Sequence, residues 1–290
     1  MMELFDNDRQ RGKMDLNEAM TERHSVRMYT DEPVGKALLD EITAEVERCN
    51  AASGLHFQMS SGLEDAFCGY KTHYGRFSGV HNAIALVTKI DEPYDLHPAK
   101  KAPQTDEETT DPIPHEEAEI EQKVGYYGEQ LALKLVQLGL STSWAVLDDA
   151  ATGWWKLEPG ERVVWILAFG HPARPGAKHH SKPLDSLCSL PASLGPNATL
   201  ADAPDWFQRG VEAASLAPTS LSQQPFHFTL EDTDTAGSPV SSASSIATSE
   251  KLLPAVSARI TPGLFAHVGL GCAKRNFEIG AGPDSFVWAK

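Results

Sequence analysis

The sequence predicts an α+β protein made of two related halves. Three observations carry this. Helical and strand-like stretches follow one another in mixed order, not as regular βαβ repetition. "AIALVTKI" (Ala83–Ile90) reads as a buried strand, and "RVVWILAFG" (Arg162–Gly170) as a continuous apolar one. Two stretches of the first half recur, in the same order, in the second.

Along the chain, residues 1–14 read as a flexible polar tail, with Met14 an alternative start. "DLNEAMTERHSVRMYT" (Asp15–Thr30) opens on a cap residue and reads as a helix running into a basic turn. "KALLDEITAEVERCNAA" places Leu38, Leu39, Ile42 and Val46 at helical spacing. "LHFQMSS" (Leu55–Ser61) reads as a strand. An acidic, Pro-rich insertion, about 91–118, reads as a disordered loop or a lid. "EEAEIEQKVGYYGEQLALKLVQLGL" (Glu116–Leu140) is a long helix that Gly139 stops. Ala236–Ser249 is a low-complexity, solvent-facing loop. "FHFTL" (Phe226–Leu230) is strand-like.

The repeat aligns Val124–Ala145 with Val268–Ala289. Val124/Val268, Gly125/Gly269, Ser141/Ser285, Trp144/Trp288 and Ala145/Ala289 are identical pairs. It also aligns Glu45–Met59 with Gly210–Leu230 through Val46-Glu47/Val211-Glu212 and His56-Phe57/His227-Phe228, with six more residues between these anchors in the second copy. The physical reading is a pseudo-dimer within one chain, its halves facing each other across a pseudo-two-fold axis. The two copies differ where the loop "APTSLSQQPFHF" (Ala217–Phe228) opens the second.

The 290 residues carry a formal net charge of −15, which argues against nucleic-acid and anionic-membrane partners. The four cysteines form no CxxC pair and read as reduced thiols of a cytoplasmic protein. No apolar run approaches the roughly 20 residues needed to span a bilayer.

Basic residues are therefore informative where they cluster. Arg23, Ser25 and Arg27 alternate, so an extended chain points them one way. Two guanidinium forks and a hydroxyl suit a phosphate or polyhydroxylated chain; a solvated turn with incidental salt bridges is the other reading. Lys178, His179, His180 and Lys182 form a second basic patch, read as an anion-facing loop rather than a metal site. "GLG" (Gly269–Gly271) lacks the dinucleotide fingerprint, no G-x-S-x-G elbow occurs, and "HEEAE" at His115 lacks a zincin's second His. Trp154-Trp155 reads as core or rim packing, with a ligand stack as the alternative.

Together these motifs resemble the FMN-dependent nitroreductase family. The basic turn Arg23-His24-Ser25-Val26-Arg27 is similar to its R-R-S-x-R opening. Ala217–Phe226 is similar to its A-P-S-x-x-N-x-Q-P-W loop, Leu138–Trp144 to its L-G-L-x-T-x-W helix end, and Gly170-His171-Pro172 with Ser181-Lys182-Pro183-Leu184 to its G-x-P turn and basic-Pro segment. The order resembles a fused subgroup in which two halves share one chain and one flavin site survives. The resemblance implies a nitroreductase-like fold of mixed, antiparallel-rich sheets flanked by helices, with halves at 15–195 and 196–290. It implies that FMN is held by Arg23, Ser25, Arg27 and Lys182, with His180 a weaker candidate. Ser143, Trp144, Ala145 and Val146 would lie beside the isoalloxazine ring, and the loop would supply Pro218, Thr219, Ser220, Ser222 and Gln224. Ser222 and Phe226 depart from the family's Asn and Trp, and His24 replaces an Arg whose side chain points away from its neighbours.

The implied activity is NAD(P)H oxidation by ping-pong hydride transfer through flavin N5 to a nitroaromatic, quinone or similar small-molecule acceptor. No side chain is then a nucleophile, no metal is needed, and the fused chain works as a monomer. The alternatives are a flavin sensor or store without turnover, a specialised relative such as a reductive dehalogenase or flavin-fragmenting enzyme, and an interaction protein that kept only the fold.

Overall fold

The computed structural model describes residues 14–89, 115–148, 150–176, 180–232 and 253–289. The tail 1–13, the insertion from 91 to 114, Lys178, His179 and the loop Ala236–Ser249 thus lie outside the described residues. The chain forms two compact units, residues 1–179 and 180–290. The segment 180–195, expected with the first half, groups with the second.

In the first unit, α1 (Leu16–Glu22) starts at a capping box. Asp15 accepts from Glu18 N at 2.9 Å, and the Glu18 carboxylate accepts from Asp15 N at 3.1 Å, so two end donors are satisfied reciprocally. The helix stops at Glu22, short of the basic turn, because the chain becomes extended at Arg23 (φ −66°, ψ 113°) and goes on to form isolated bridges with Thr142, Ser78 and Pro172. Helix α2 (Lys36–Ser53) buries Ile42, Glu45, Val46 and Cys49 on one face, while Leu38 and Leu39 are only partly covered. Gly54 ends it in the left-handed region that glycine adopts without a Cβ clash (φ 75°).

Strands β1 (Gln58–Ser60), β2 (Asn82–Lys89), β3 (Ser141–Val146) and β4 (Glu161–Gly170) form one sheet in the order β1-β2-β4-β3, with every neighbour antiparallel. β1 is shorter than expected because the Asn50 amide takes both backbone groups of Phe57, at 2.8 Å each, so the ladder begins at Gln58. β2 is buried along all but its last residue, and β4 along its second half. Helix α3 (His115–Gln137) connects β2 to β3; its first turn takes up 115–118, the last part of the expected insertion. Its end is a Schellman motif: Leu140 N donates to Leu135 O and Gly139 N to Val136 O. Trp155 is buried in the core, and the Trp154 indole donates to Ala66 O at 3.0 Å, so this pair packs rather than stacks a ligand.

In the second unit, β5 (Cys188–Ser189), β6 (Phe226–Leu230), β7 (Ala255–Ile260) and β8 (Val287–Trp288) form a sheet in that order. β6 and β7 are antiparallel, while β5 joins β6, and β8 joins β7, in parallel. Helices α4 (Asp205–Ala214) and α5 (Ala266–Ala281) pack closely. A Cβ on Gly280 would lie 2.4 Å from Ala213 Cβ and Arg209 O, and one on Gly210 would lie 2.7 Å from the Phe277 ring. Phe277 stacks on Phe228 (4.7 Å between centroids) and contacts Phe207, Phe286 and Trp288.

The two units share the sequence helix, strand, strand, helix, strand: α2-β1-β2-α3-β3 and α4-β6-β7-α5-β8. Strand directions also agree. β2 and β3 are both antiparallel to β4 and hence parallel to each other, as β7 and β8 are. β4 is the extra strand of the first unit. The aligned pairs occupy matching places: Val46 and Val211 are buried in α2 and α4, Val124 and Val268 in α3 and α5, and Trp144 and Trp288 lie on β3 and β8.

A Cβ on Gly128 of α3 would lie 2.4 Å from Cη2 of Trp144 on β3, far inside contact distance. Gly128→Ala is expected to cost about 1–3 kcal/mol through overpacking. Urea denaturation measures it, and an unchanged midpoint would show that helix and strand separate without strain.

Candidate functional site

In the first unit the basic turn meets β3 at Thr142. Val26 N donates to Thr142 O at 3.1 Å, and Ser25 bridges Thr142 as a short parallel pair. The alternation expected of an extended chain holds for Ser25, Val26 and Arg27, which are exposed, buried and exposed, and fails at Arg23, which is buried. Tyr29 fastens the turn from below, its hydroxyl donating to Val26 O (2.6 Å) and lying 3.1 Å from Ala168 O; burial pushes its pKa upward.

The three expected donors are not equivalent. Arg23 is buried and its Nε lies 3.6 Å from the carboxylate of Glu129, itself fully buried in α3. Two charges removed from water hold only as a pair. Arg27 is in the open, its guanidinium carbon 6.0 Å from the Phe77 ring centroid. Gly75 (φ 78°) lets the chain pass beneath it, where a Cβ would lie 2.9 Å from Arg27 Nε. His24 packs against Gly176. Beside Thr142, Ser143, Ala145 and Val146 are buried, and Trp144 is partly exposed. The turn thus meets β3 at Thr142, while Arg23 faces Glu129 of α3 and Arg27 the Phe77 ring.

In the second unit the loop that follows α4 carries three non-glycine residues in the left-handed region: Leu221 (φ 51°), Ser222 (φ 56°) and Gln224 (φ 45°). Such backbone persists only where its surroundings over-determine it. Two adjacent glutamines do so. Gln223 Oε1 accepts from Leu264 N at 2.8 Å, next to Gly263, where a Cβ would lie 2.6 Å from Pro225 Cβ. Gln224 is buried; its Oε1 accepts from Lys182 N at 2.6 Å, and its Nε2 donates to Ser215 O at 2.7 Å. Thr219 Oγ1 accepts from Gln224 N at 3.0 Å, and Lys182 Nζ donates to Gln224 O at 3.2 Å.

Lys182, Thr219 and Gln224 therefore form one connected group. Pro218 and Ser220 are half-buried, Ser222 is exposed at the loop tip, and His180 is exposed. Phe226, in place of the family's Trp, is a fully buried core residue of β6. The matching loop of the first unit is a short turn between Gly54 and Phe57, closed by Asn50.

Sequence reasoning missed Glu129, Tyr29 and Gln223. Glu129 carried no signal within a helical pattern. Gln223 stood beside Gln224 in the quoted loop, and a second amide there was the available clue.

Leu221 is 63% exposed and has little burial to lose. A left-handed residue costs about 1–2 kcal/mol, and a glycine loses about 0.5–1 in chain entropy. Leu221→Gly is therefore expected to stabilise the second unit slightly, by up to about 1 kcal/mol. Thermal melts test it, and a clear loss of stability would rule out strain at this position.

The chain matches a protein-family model described as "Putative TM nitroreductase" over residues 15–97 and 113–281. No curated protein matches it. Among solved structures, one so described from Thermotoga maritima is similar at 18% identity, TM-score 0.49, covering 92% of this chain and 83% of that one. A nitroreductase family protein from Streptococcus pneumoniae is similar at 14% identity, TM-score 0.43, covering 60% and 98%. A structure from Desulfovibrio desulfuricans, likewise so described and in complex with FMN, is similar at 22% identity, TM-score 0.42, covering 59% and 94%. The family match spans most of the chain, including the basic turn, the long helix with β3 and the glutamine-fastened loop, and the protein belongs to this nitroreductase family.

Proposed function

We propose that the protein is an FMN-dependent NAD(P)H oxidoreductase of nitroreductase type that reduces a nitroaromatic, quinone or similar electron-poor acceptor. The observation that carries this is the basic turn held to β3 at Thr142, the residue before Ser143, with Ser25 and Arg27 exposed. Family membership supports the same class of chemistry.

The donor set fits a phosphorylated flavin. In the first unit Arg27 offers positive charge and Ser25 a hydroxyl; in the second Lys182 offers positive charge and Thr219, Ser220 and Ser222 hydroxyls, the groups that a phosphate and a ribityl chain call for. Arg23, neutralised by Glu129, acts in this reading by holding the turn as much as by charge. When bound, FMN supplies the redox chemistry, accepting hydride at N5 and returning it to an acceptor. The chain's part is orientation, exclusion of water and placement of positive charge where negative charge develops. No nucleophilic side chain is required.

The matching element order and strand directions of the two units support an internal duplication. We read the units as two copies that build one pseudo-dimer, active as a cytoplasmic monomer. One copy has lost its loop to the Asn50 turn, and the segment before α4, Ser193–Pro204, has no Arg or Lys to replace the basic turn. One flavin per chain follows.

The purified protein is expected to be yellow and to release one FMN per chain, and NADH or NADPH should bleach it rapidly. No flavin after reconstitution would remove this reading; two per chain would restore the first copy's loop as a binding element. Bound flavin that no nicotinamide reduces would favour a store. Arg27→Ala is expected to weaken FMN binding about tenfold or more, the effect of losing a charge-assisted contact. Fluorescence titration measures it, and unchanged affinity would exclude Arg27 from the site.

A further inference from the structure

Resting on the flavin reading, we propose that Gln224 is a positioning residue that sets Lys182 to meet a phosphate, and is not itself a cofactor contact. Its side chain is 1% exposed, and both amide hydrogens are engaged within the second unit. Nε2 donates to Ser215 O at 2.7 Å and lies 3.4 Å from Ser181 Oγ, while the backbone N–H donates to Thr219 Oγ1. A phosphate accepts hydrogen bonds and donates none at its ionised oxygens, so it needs donors, and Gln224 has none left.

What Gln224 does hold is Lys182, at two points. Its Oε1 accepts from Lys182 N at 2.6 Å, and its backbone oxygen accepts from Lys182 Nζ at 3.2 Å. A lysine ammonium on a four-carbon stem is otherwise a mobile point charge. Here the stem is closed into a ring through Gln224, and Pro183 restricts the Lys182 backbone further. The ammonium's described partner is a neutral carbonyl, so one of three donors is used and the positive charge stays available. Ser215 ends α4, Thr219 opens the loop and Ser181 precedes Lys182, so the buried Gln224, through its side-chain amide and its backbone N–H, ties the charge to the helix end and to the loop.

The test separates phosphate recognition from flavin recognition in general. The flavin-stripped full chain is titrated with FMN and with riboflavin, which lacks the phosphate, for wild type, Lys182→Ala, Gln224→Ala and the double variant. Each single substitution is expected to lower the FMN-over-riboflavin preference about tenfold, with riboflavin affinity little changed. The double variant is expected to lose no more than either single one, because both act through one ammonium. Equal losses for the two flavins, or losses that multiply in the double variant, would overturn the proposal and make Gln224 a loop-building or flavin-contacting residue. Gln224→Glu keeps the side-chain volume and the Oε1 acceptor, removes the donor to Ser215 O, adds a negative charge next to the Lys182 backbone, and serves if Gln224→Ala does not fold. It too is expected to lose FMN preference, and an unchanged ratio would overturn the proposal. Wild type that binds neither flavin would instead bring down the flavin reading, and this inference with it.

Discussion

The close approach of α3 to β3 at Gly128 and Trp144 is the constraint on which the first unit's site depends. A bare glycine lets the helix rest on an indole ring, and the next residue, Glu129, is then carried into the protein with its charge. A buried carboxylate is stabilised by a cation, and Arg23 lies 3.6 Å from it. That pair anchors the start of the basic turn, and Val26 continues it by donating to Thr142 of the same strand. Helix packing, charge neutralisation and strand pairing thus fix the backbone from which Ser25 and Arg27 project.

The second unit reaches a comparable end by a different route. Its loop has no regular ladder of its own, and three of its residues sit in a backbone region that L side chains rarely adopt. Side-chain amides replace the ladder. Gln223 fastens the loop to the segment entering α5, and Gln224 to the segment carrying Lys182. Side-chain amides withdrawn from water are costly when unsatisfied and directional when satisfied, which is why the buried Gln224 and the half-buried Gln223 hold a strained loop in one conformation. The first unit's matching turn uses the same chemistry toward another end: Asn50 closes on Phe57 and leaves no extended loop.

Elements in the same order serve the two units differently. Trp144 and Trp288 sit at matching places on β3 and β8, yet Trp144 packs on Gly128 while the Trp288 indole donates to Glu278 at 2.7 Å and lies beneath the Lys274 ammonium. The first unit's extra strand, β4, occupies the place between β2 and β3 that the second unit leaves closed. The two units agree in element order and differ in edges and loops.

Periodicity and punctuation by themselves determined the longer elements, because these are local properties. α2, α3, β2 and β4 lie within a residue or a few of where apolar spacing and Gly54 or Gly139 put them. The basic turn and the loop were equally legible, since charge and proline in an acidic chain stand out as composition. Only the tertiary structure decided that Arg23 is buried on Glu129 while Arg27 is open, that Asn50 shortens β1, and that Gln224 reaches Lys182, 42 residues away in the chain. Each of these is a pairing between distant residues, and no local spacing encodes which buried charge or amide will find which partner.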